Sequence, residues 1–492
     1  MLFMGLDLGT SSVKLTIWDD EQNRSLLTIQ YPDSENAIIS PQPGWAEQSP
    51  DEWWEQVKQV ILKANATKSY EPTAVAAIGI SYQMHGLVLI NQAGESIRNS
   101  IIWCDSRAIE MGNRAFEGLG NDYCMQHLLN SPANFTASKL AWVQQYEPAI
   151  FDQIHQIMLP GDFIAFKLTG NATTTRAALS EGIFWDFRRE QVSKELFDYY
   201  NWSSSILPPI MPVFAEHGRI SKAIADRLGL PHGIPVTYKA GDQQNNAWSL
   251  QVMAPGEVAA TAGTSGVIYA VTDQLVSDPF SRVNTFAHVN HDEHQKRLGV
   301  LLCINGVGIF NNWIKKMLAP DVSYDTINQM AATIPPGSDG LILLPFGNGA
   351  ERMLKNKMLQ AHINQINFNL HSRAHILRAA QEGIAFAFRY GFDMIEQSTG
   401  RPSVIRAGKA NMFLSDIFTQ TFVNITKTPV QLYDTDGSAG AARGAIRGLL
   451  GETAVSGTLQ PLKNIVPEKN TESIELAYQH WVAALELKLS SS

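Results

Sequence analysis

Cysteine, long basic runs and long apolar runs are all scarce in this 492-residue chain, and each shortage closes a class of function. The three cysteines, Cys104, Cys124 and Cys303, are odd in number, widely spaced and outside any CxxC or metal-ligand pattern. Reduced, partly buried thiols are expected. A net charge of -9 without a Lys/Arg cluster lacks the footprint of a nucleic-acid binder, so a small-molecule ligand is the default. No stretch approaches the roughly 20 apolar residues of a membrane span, and the N-terminus lacks a basic region followed by an apolar segment and a cleavage site. A cytoplasmic protein is expected. The P-loop pattern GxxxxGK[ST] is missing too, and the glycine-rich pieces at 408 and 437–444 do not match GxGxxG.

What is present points to an α/β protein. Residues are 45% hydrophobic and 17% charged, ordinary for a globular chain, and the length suggests two domains. Residues 2–8 and 13–18 read as a β-hairpin around the small-residue turn Gly9–Ser12. Helical spacing over 52–64 follows Ser49-Pro50-Asp51, a fitting N-terminal cap. A buried strand follows at 75–81, and the helix-then-strand order recurs before 234–240 and around 341–345. Such an order predicts a substantially parallel sheet, with a mixed sheet as the alternative. A long helical pattern over 375–396, a strand at 403–406 and the glycine/alanine-rich GSAGAARGAIRGLLG complete the C-terminal half.

Setting GTSSVKLTIWDD (9–20) against GTSGVIYAVTDQ (263–274) at a constant offset of about half the chain keeps Gly-Thr-Ser, a Val and a late Asp in register. Residues 257–262 again resemble a strand feeding the turn. The pattern suggests a duplicated domain whose copies each begin with a hairpin, with a boundary near 241–245. Small-residue turns expose N–H groups and hydroxyls to an oxyanion, and two facing turns suit a nucleoside triphosphate. Asp7 lies inside the apolar first strand, where an unpaired carboxylate is costly. It would hold Mg2+, with Lys14 as a cation across the hairpin. The alternative is a local turn cap, although a cap normally sits in the turn and not two residues back in the strand. The second copy carries Thr261 at the matching position.

Asp242 stands at the carboxyl end of a strand, where α/β sheets meet ligands. It would take a proton from a substrate hydroxyl as that oxygen attacks a γ-phosphate; a helix N-cap fits the spacing equally well. Gln83 and His85, just after the strand ending at Ser81, would bind a sugar or polyol, with a satisfied structural histidine as the alternative for His85. Trp103 and Asp105 in IIWCDSR would supply an apolar face and a carboxylate, with a core position as the alternative for Trp103.

GLDLGTSSVK, PGWAEQSPDEWW, IGISYQMHGLVLI, IIWCDSR, LPGDFIAFKLTG, AGDQQNNAW, TAGTSGV, PFGNGAER and GSAGAARGA, in this order, together resemble the FGGY family of carbohydrate kinases, most closely its xylulokinases. The resemblance spans nearly the whole chain. It implies two ribonuclease-H-like domains of the actin/hexokinase ATPase type closing on a cleft, here divided as 1–245 and 246–492. It also implies ATP and Mg2+ as cofactors and γ-phosphoryl transfer to a sugar hydroxyl with Asp242 as general base. D-xylulose is the first substrate implied; D-ribulose, another ketopentose and gluconate are alternatives. Sugar contacts would fall on Gln83, Met84, His85, Trp103, Asp242 and Gln243. Nucleotide contacts would fall on Thr10, Ser11 and Lys14 from the first hairpin and Gly263 and Thr264 from the second, with Gly308, Asn312, Gly408 and Asn411 on the adenosine side. Homodimers are common in the family. Two departures are Gln243, where xylulokinases usually carry Asn, and Lys409, where a small residue is typical. A partner-binding ATPase of the same fold accounts for both turns but not for QMHG, Trp103 and Asp242, and a non-catalytic sugar sensor leaves Asp7 and Asp242 without a role.

Overall fold

The computed structural model describes residues 1–455 and 459–491. The first hairpin forms as expected: β1 (Leu2–Leu8) and β2 (Val13–Asp19) pair antiparallel, with Asp7 opposite Lys14. With β3 (Arg24–Tyr31), β4 (Val75–Tyr82), β5 (Gly218–Arg219) and β6 (Pro235–Gly241) they make a six-stranded sheet in the order β5-β6-β4-β1-β2-β3. Only the β6–β4 and β4–β1 pairs are parallel, so the sheet is mixed: the hairpin supplies antiparallel neighbours that a βαβ repeat does not. Helix α1 (Pro50–Ala66) buries Trp53, Val57, Val60 and Ile61 on this sheet and starts at Ser49, whose side chain accepts from Glu52 N. Helix α2 (Asp242–Ser249) follows β6 directly.

The second half repeats the plan. Strands β7 (Val258–Ala262), β8 (Gly266–Thr272), β9 (Asn284–Ala287), β10 (Leu298–Ile304), β11 (Ile405–Gly408), β12 (Val430–Tyr433) and β13 (Lys463–Ile465) form a sheet in the order β9-β10-β8-β7-β11-β12-β13. Its parallel core β7-β11-β12 matches β1-β4-β6, and β8 and β10 take the places of β2 and β3. One detail departs from a constant offset. The first turn has four residues, Gly9–Ser12, and the second three, Gly263–Ser265, so Thr261 faces Val267 where Asp7 faces Lys14. Helices α3 (Gly308–Leu318), α4 (Arg373–Thr399) and α5 (Asp416–Thr426) pack in the core of this half.

The glycine/alanine-rich segment forms α6 (Gly437–Leu450). A Cβ on Gly5 would stand 1.9 Å from Ser438 O, and one on Gly79 1.9 Å from Ala441 O. Small residues on both sides therefore let a helix from the C-terminal half lie almost against the backbone of β1 and β4. Thr16 and Ser438 hydroxyls meet at 2.8 Å, Asn245 Nδ2 donates to Gly437 O (2.8 Å), and Trp248 Nε1 donates to Gly440 O (2.9 Å).

Candidate active site

Three parallel strands end side by side and carry the predicted acids and sugar contacts. Asp7, Ser81 and Ala240 form one row across β1, β4 and β6, and Leu8, Tyr82 and Gly241 form the next. The first turn, Gln83–His85 and Asp242 all leave from these carboxyl ends, where α/β sheets meet ligands.

Helix α2 begins at Asp242 with Gly241 as its N-cap, so the capping alternative for Asp242 is not realised. The Asp242 carboxylate accepts from Gln243 Nε2 at 3.1 Å. Burial, and then the charge of Asp7, push its pKa up to about 7. A carboxylate so tuned can hold or release a proton near neutrality. A side chain at Gly241 would displace its neighbours: its Cβ would lie 2.5 Å from Glu181 Oε2, 2.6 Å from Gln244 Oε1 and 2.8 Å from Met84 Cγ. Burial likewise keeps the Glu181 carboxyl well above the usual carboxylate range.

Burial also raises the pKa of Asp7, with the Ser81 hydroxyl opposing and Asp436 adding to the rise; Lys14 opposes least. The acid faces the start of α6, where a Cβ on Gly437 would stand 2.2 Å from Asp7 Oδ2. An under-compensated carboxylate of this kind fits Mg2+, which takes one or two carboxylates and fills its shell with phosphate and water. The described residues hold no cluster of three or more His, Cys, Asp and Glu arranged for a metal.

His85 sits in left-handed backbone, φ 63°, an outlier for a residue with a side chain. Lys139 Nζ donates to its carbonyl at 2.7 Å, and its own Nδ1–H donates to Glu181 O at 2.9 Å. Burial, and next the Lys139 charge, bring its pKa down to about 3. The ring is neutral, its donor is engaged, and Nε2 remains as an acceptor for a hydroxyl. Phe135 and Phe286 flank it with centroids at 4.8 and 5.4 Å. Met84 is buried beside Gly241, and Trp103 is half-exposed, not in the core.

The surroundings of three predicted residues narrow what each can do. Thr10 cannot give a hydroxyl proton to phosphate: it already donates to Gln83 Oε1 (3.1 Å) and accepts from Trp103 Nε1 (2.9 Å). The Thr10 and Ser11 amides, without a partner among the described residues, are what this turn offers an oxyanion. Asp105 is fully buried, accepting from Ala46 N (2.6 Å) and paired with Arg107 (2.6 Å), so it braces the fold and does not face a sugar. Gly408 ends β11, three residues before Asn411 of the cavity that collects the other predicted adenosine-side residues.

That cavity, about 720 Å³, is lined by Gly263, Thr264, Gly308, Asn312 and Asn411, all foreseen, and by Lys316 and Tyr324, which were not. Glu35 reaches it from the N-terminal half. Gly308 N donates to Gly263 O (2.8 Å) and Ile309 N to Thr264 O (3.1 Å), tying the first turn of α3 to the second small-residue turn. A Cβ on Gly308 would lie 2.3 Å from Gly263 O, so the junction needs glycine. Lys409 is exposed and its N–H donates to Tyr433 O (2.8 Å), leaving its side chain outside the cavity wall. Lys316 and Tyr324 had no motif to reveal them; they converge on the cavity only through folding. Gln48, in the quoted PGWAEQSPDEWW, was also given no role, and its hydrogen bonds reach both Thr10 and Gln83.

The cysteines are free, with Cys104 exposed, Cys124 buried and Cys303 between. No helix among the described residues is long and apolar enough to cross a membrane.

Comparison with known proteins agrees with the geometry. Residues 2–248 match the model of the FGGY family of carbohydrate kinases, N-terminal domain. The chain is 27% identical over 401 residues to the xylulose kinase of Bacillus subtilis (strain 168), covering 80% of this chain and 77% of that one. The crystal structure of xylulose kinase from Rhodospirillum rubrum superposes with a TM-score of 0.87 at 25% identity, covering 99% of each chain. A gluconate kinase structure from Lactobacillus acidophilus shares the fold, with a TM-score of 0.89 at 21% identity over 100% of this chain and 98% of that one.

Proposed function

Because this chain belongs to the FGGY family of carbohydrate kinases, we propose that it transfers the γ-phosphoryl group of ATP to D-xylulose, forming D-xylulose 5-phosphate. Membership makes it a sugar kinase; the substrate and the residue roles are the proposal. The observation that carries it is Asp242, a carboxylate with a pKa near 7 at the carboxyl edge of β6, close enough to Asp7 to feel its charge. Asp242 takes the proton of the acceptor hydroxyl as that oxygen bonds to the γ-phosphorus and the bond to the ADP oxygen breaks. Gln243 steadies the carboxylate from the side. Gln83, Met84, His85 and Trp103 hold the sugar, with His85 Nε2 accepting from a hydroxyl. The amides of Thr10, Ser11 and Thr264 face the phosphates, Lys14 lends a positive charge, and Gly263, Gly308, Asn312 and Asn411 enclose the adenosine. Gly408 supports that loop from the end of β11. Mg2+ held by Asp7 would neutralise phosphate charge.

We take residues 1–245 and 246–492 as the two domains, a division that falls inside α2. Both α6 and β9 of the second half pack on the first, where Asn130 Nδ2 donates to Thr285 O (2.7 Å). ADP release measured against a panel of ketopentoses, polyols and aldonates tests the substrate. D-xylulose is expected to give the highest kcat/KM; a clear preference for D-ribulose or gluconate would replace it. A folded Asp242→Asn variant should lose about 10²-fold or more in kcat, and parental turnover in that variant would remove Asp242 as base.

A further inference from the structure

Two indoles fix the sense of a hydrogen-bond chain between the sugar side and the phosphate side of this site. Indole Nε1 only donates. Trp53, buried on α1, meets Gln48 at 3.1 Å, so the Gln48 atom facing it is the carbonyl oxygen. Gln48 Oε1 then also accepts from Gln83 Nε2 (2.9 Å), and Gln48 Nε2 donates to Thr10 O (2.8 Å). Gln83 in turn presents Oε1 to the Thr10 hydroxyl (3.1 Å), and at the far end the Trp103 indole donates to the same hydroxyl (2.9 Å). Gln48 and Gln83 are both buried, so reversing either amide would leave polar atoms without partners.

We propose that Gln48 is a positioning residue that couples sugar binding to nucleotide binding, holding Gln83 by one end of its carboxamide and the Thr10 carbonyl by the other. The proposal rests on the sugar-kinase reading above. Contact of a sugar with Gln83 or Trp103 shifts Thr10, and the neighbouring Thr10 and Ser11 amides move with it. The Asn36 N–H, which donates to Ser11 O at 2.8 Å, limits the turn to small displacements. Gln48 touches neither ligand in this arrangement; it acts through the two residues it holds.

The test is calorimetric binding of a non-hydrolysable ATP analogue with Mg2+, in the absence and presence of the sugar that the parent phosphorylates best. The ratio of the two affinities measures coupling. Gln48→Met keeps the volume and removes the polar contacts. It should lower the ratio about fivefold or more while analogue affinity without sugar stays within about threefold. Thr10→Val should lower the ratio as well, and Thr10→Ser, which keeps the hydroxyl, should restore it. If Gln48→Met does not fold, the Thr10 pair decides. A parental ratio in a folded Gln48→Met or in Thr10→Val overturns the proposal, as does an equal loss of both affinities with the ratio preserved. A parent that phosphorylates no sugar overturns the kinase reading and this inference with it.

Discussion

The two hairpins that open the repeated sheets differ more usefully than they agree. Both place a small-residue turn at the end of the first strand of a parallel trio, and both leave amides there for an oxyanion. The first carries Asp7 opposite Lys14 across a four-residue turn; the second carries Thr261 opposite Val267 across a three-residue turn. The β1 backbone lies under α6 at Gly5, whereas the matching Ala259 of β7 is covered by side chains such as Ala247 and Leu250. One copy thus keeps the small-residue turn and adds an acid, and the other keeps the turn alone. Under the proposed function, a single metal between two duplicated domains would need only one such acid.

The comparison would break most visibly at the acid. Asp7→Asn should cut kcat by about 10²-fold or more and weaken the dependence on Mg2+, read in a metal titration of initial rates. The next largest effect is on pH. Asp242 must be ionised to accept a proton, and its pKa is raised to about 7, so kcat/KM should fall about tenfold per unit below that pH and level off above it. A rate flat from pH 5 to 8 would contradict the role given to the carboxylate pair. Gly5→Ala probes the scaffold: its Cβ would press on Ser438 O at 1.9 Å, costing about 1–3 kcal/mol in urea unfolding, whereas the second copy already carries alanine at the equivalent place. The smallest effect belongs to Thr261→Ala, expected to change kcat and the Mg2+ dependence by less than about threefold. A loss matching that of Asp7→Asn would erase the asymmetry between the copies.

Much of the site was legible because it is local. An acid two residues before a Gly-Thr-Ser turn, an Asp at the end of a buried strand and a QMHG run after another are short patterns whose chemistry follows from residue type and position on a strand. The duplication was legible for the same reason, since a repeated strand and turn leave a repeated text. The slip of one residue after the turn was not, because the loop length that sets register shows only when partner strands are paired. Asp105 looked like a sugar ligand by its place beside Trp103; its buried bond to Ala46 N joins segments that sequence keeps 59 residues apart, and Arg107, two residues on, takes up the rest of the carboxylate.

The amino-acid sequence by itself determined the two α/β halves, the paired turns and the identity of the acids, since strand periodicity, small-residue turns and an acid inside an apolar strand are written in consecutive residues. Tertiary structure alone decided that Thr10 spends its hydroxyl on Gln83 and Trp103, that His85 keeps only an acceptor, and that the glycine-rich helix rests on the first sheet. Each of these is a contest for one donor, one acceptor or one gap, and its outcome depends on neighbours brought from as far as 422 residues away in the chain, as Thr16 and Ser438 are.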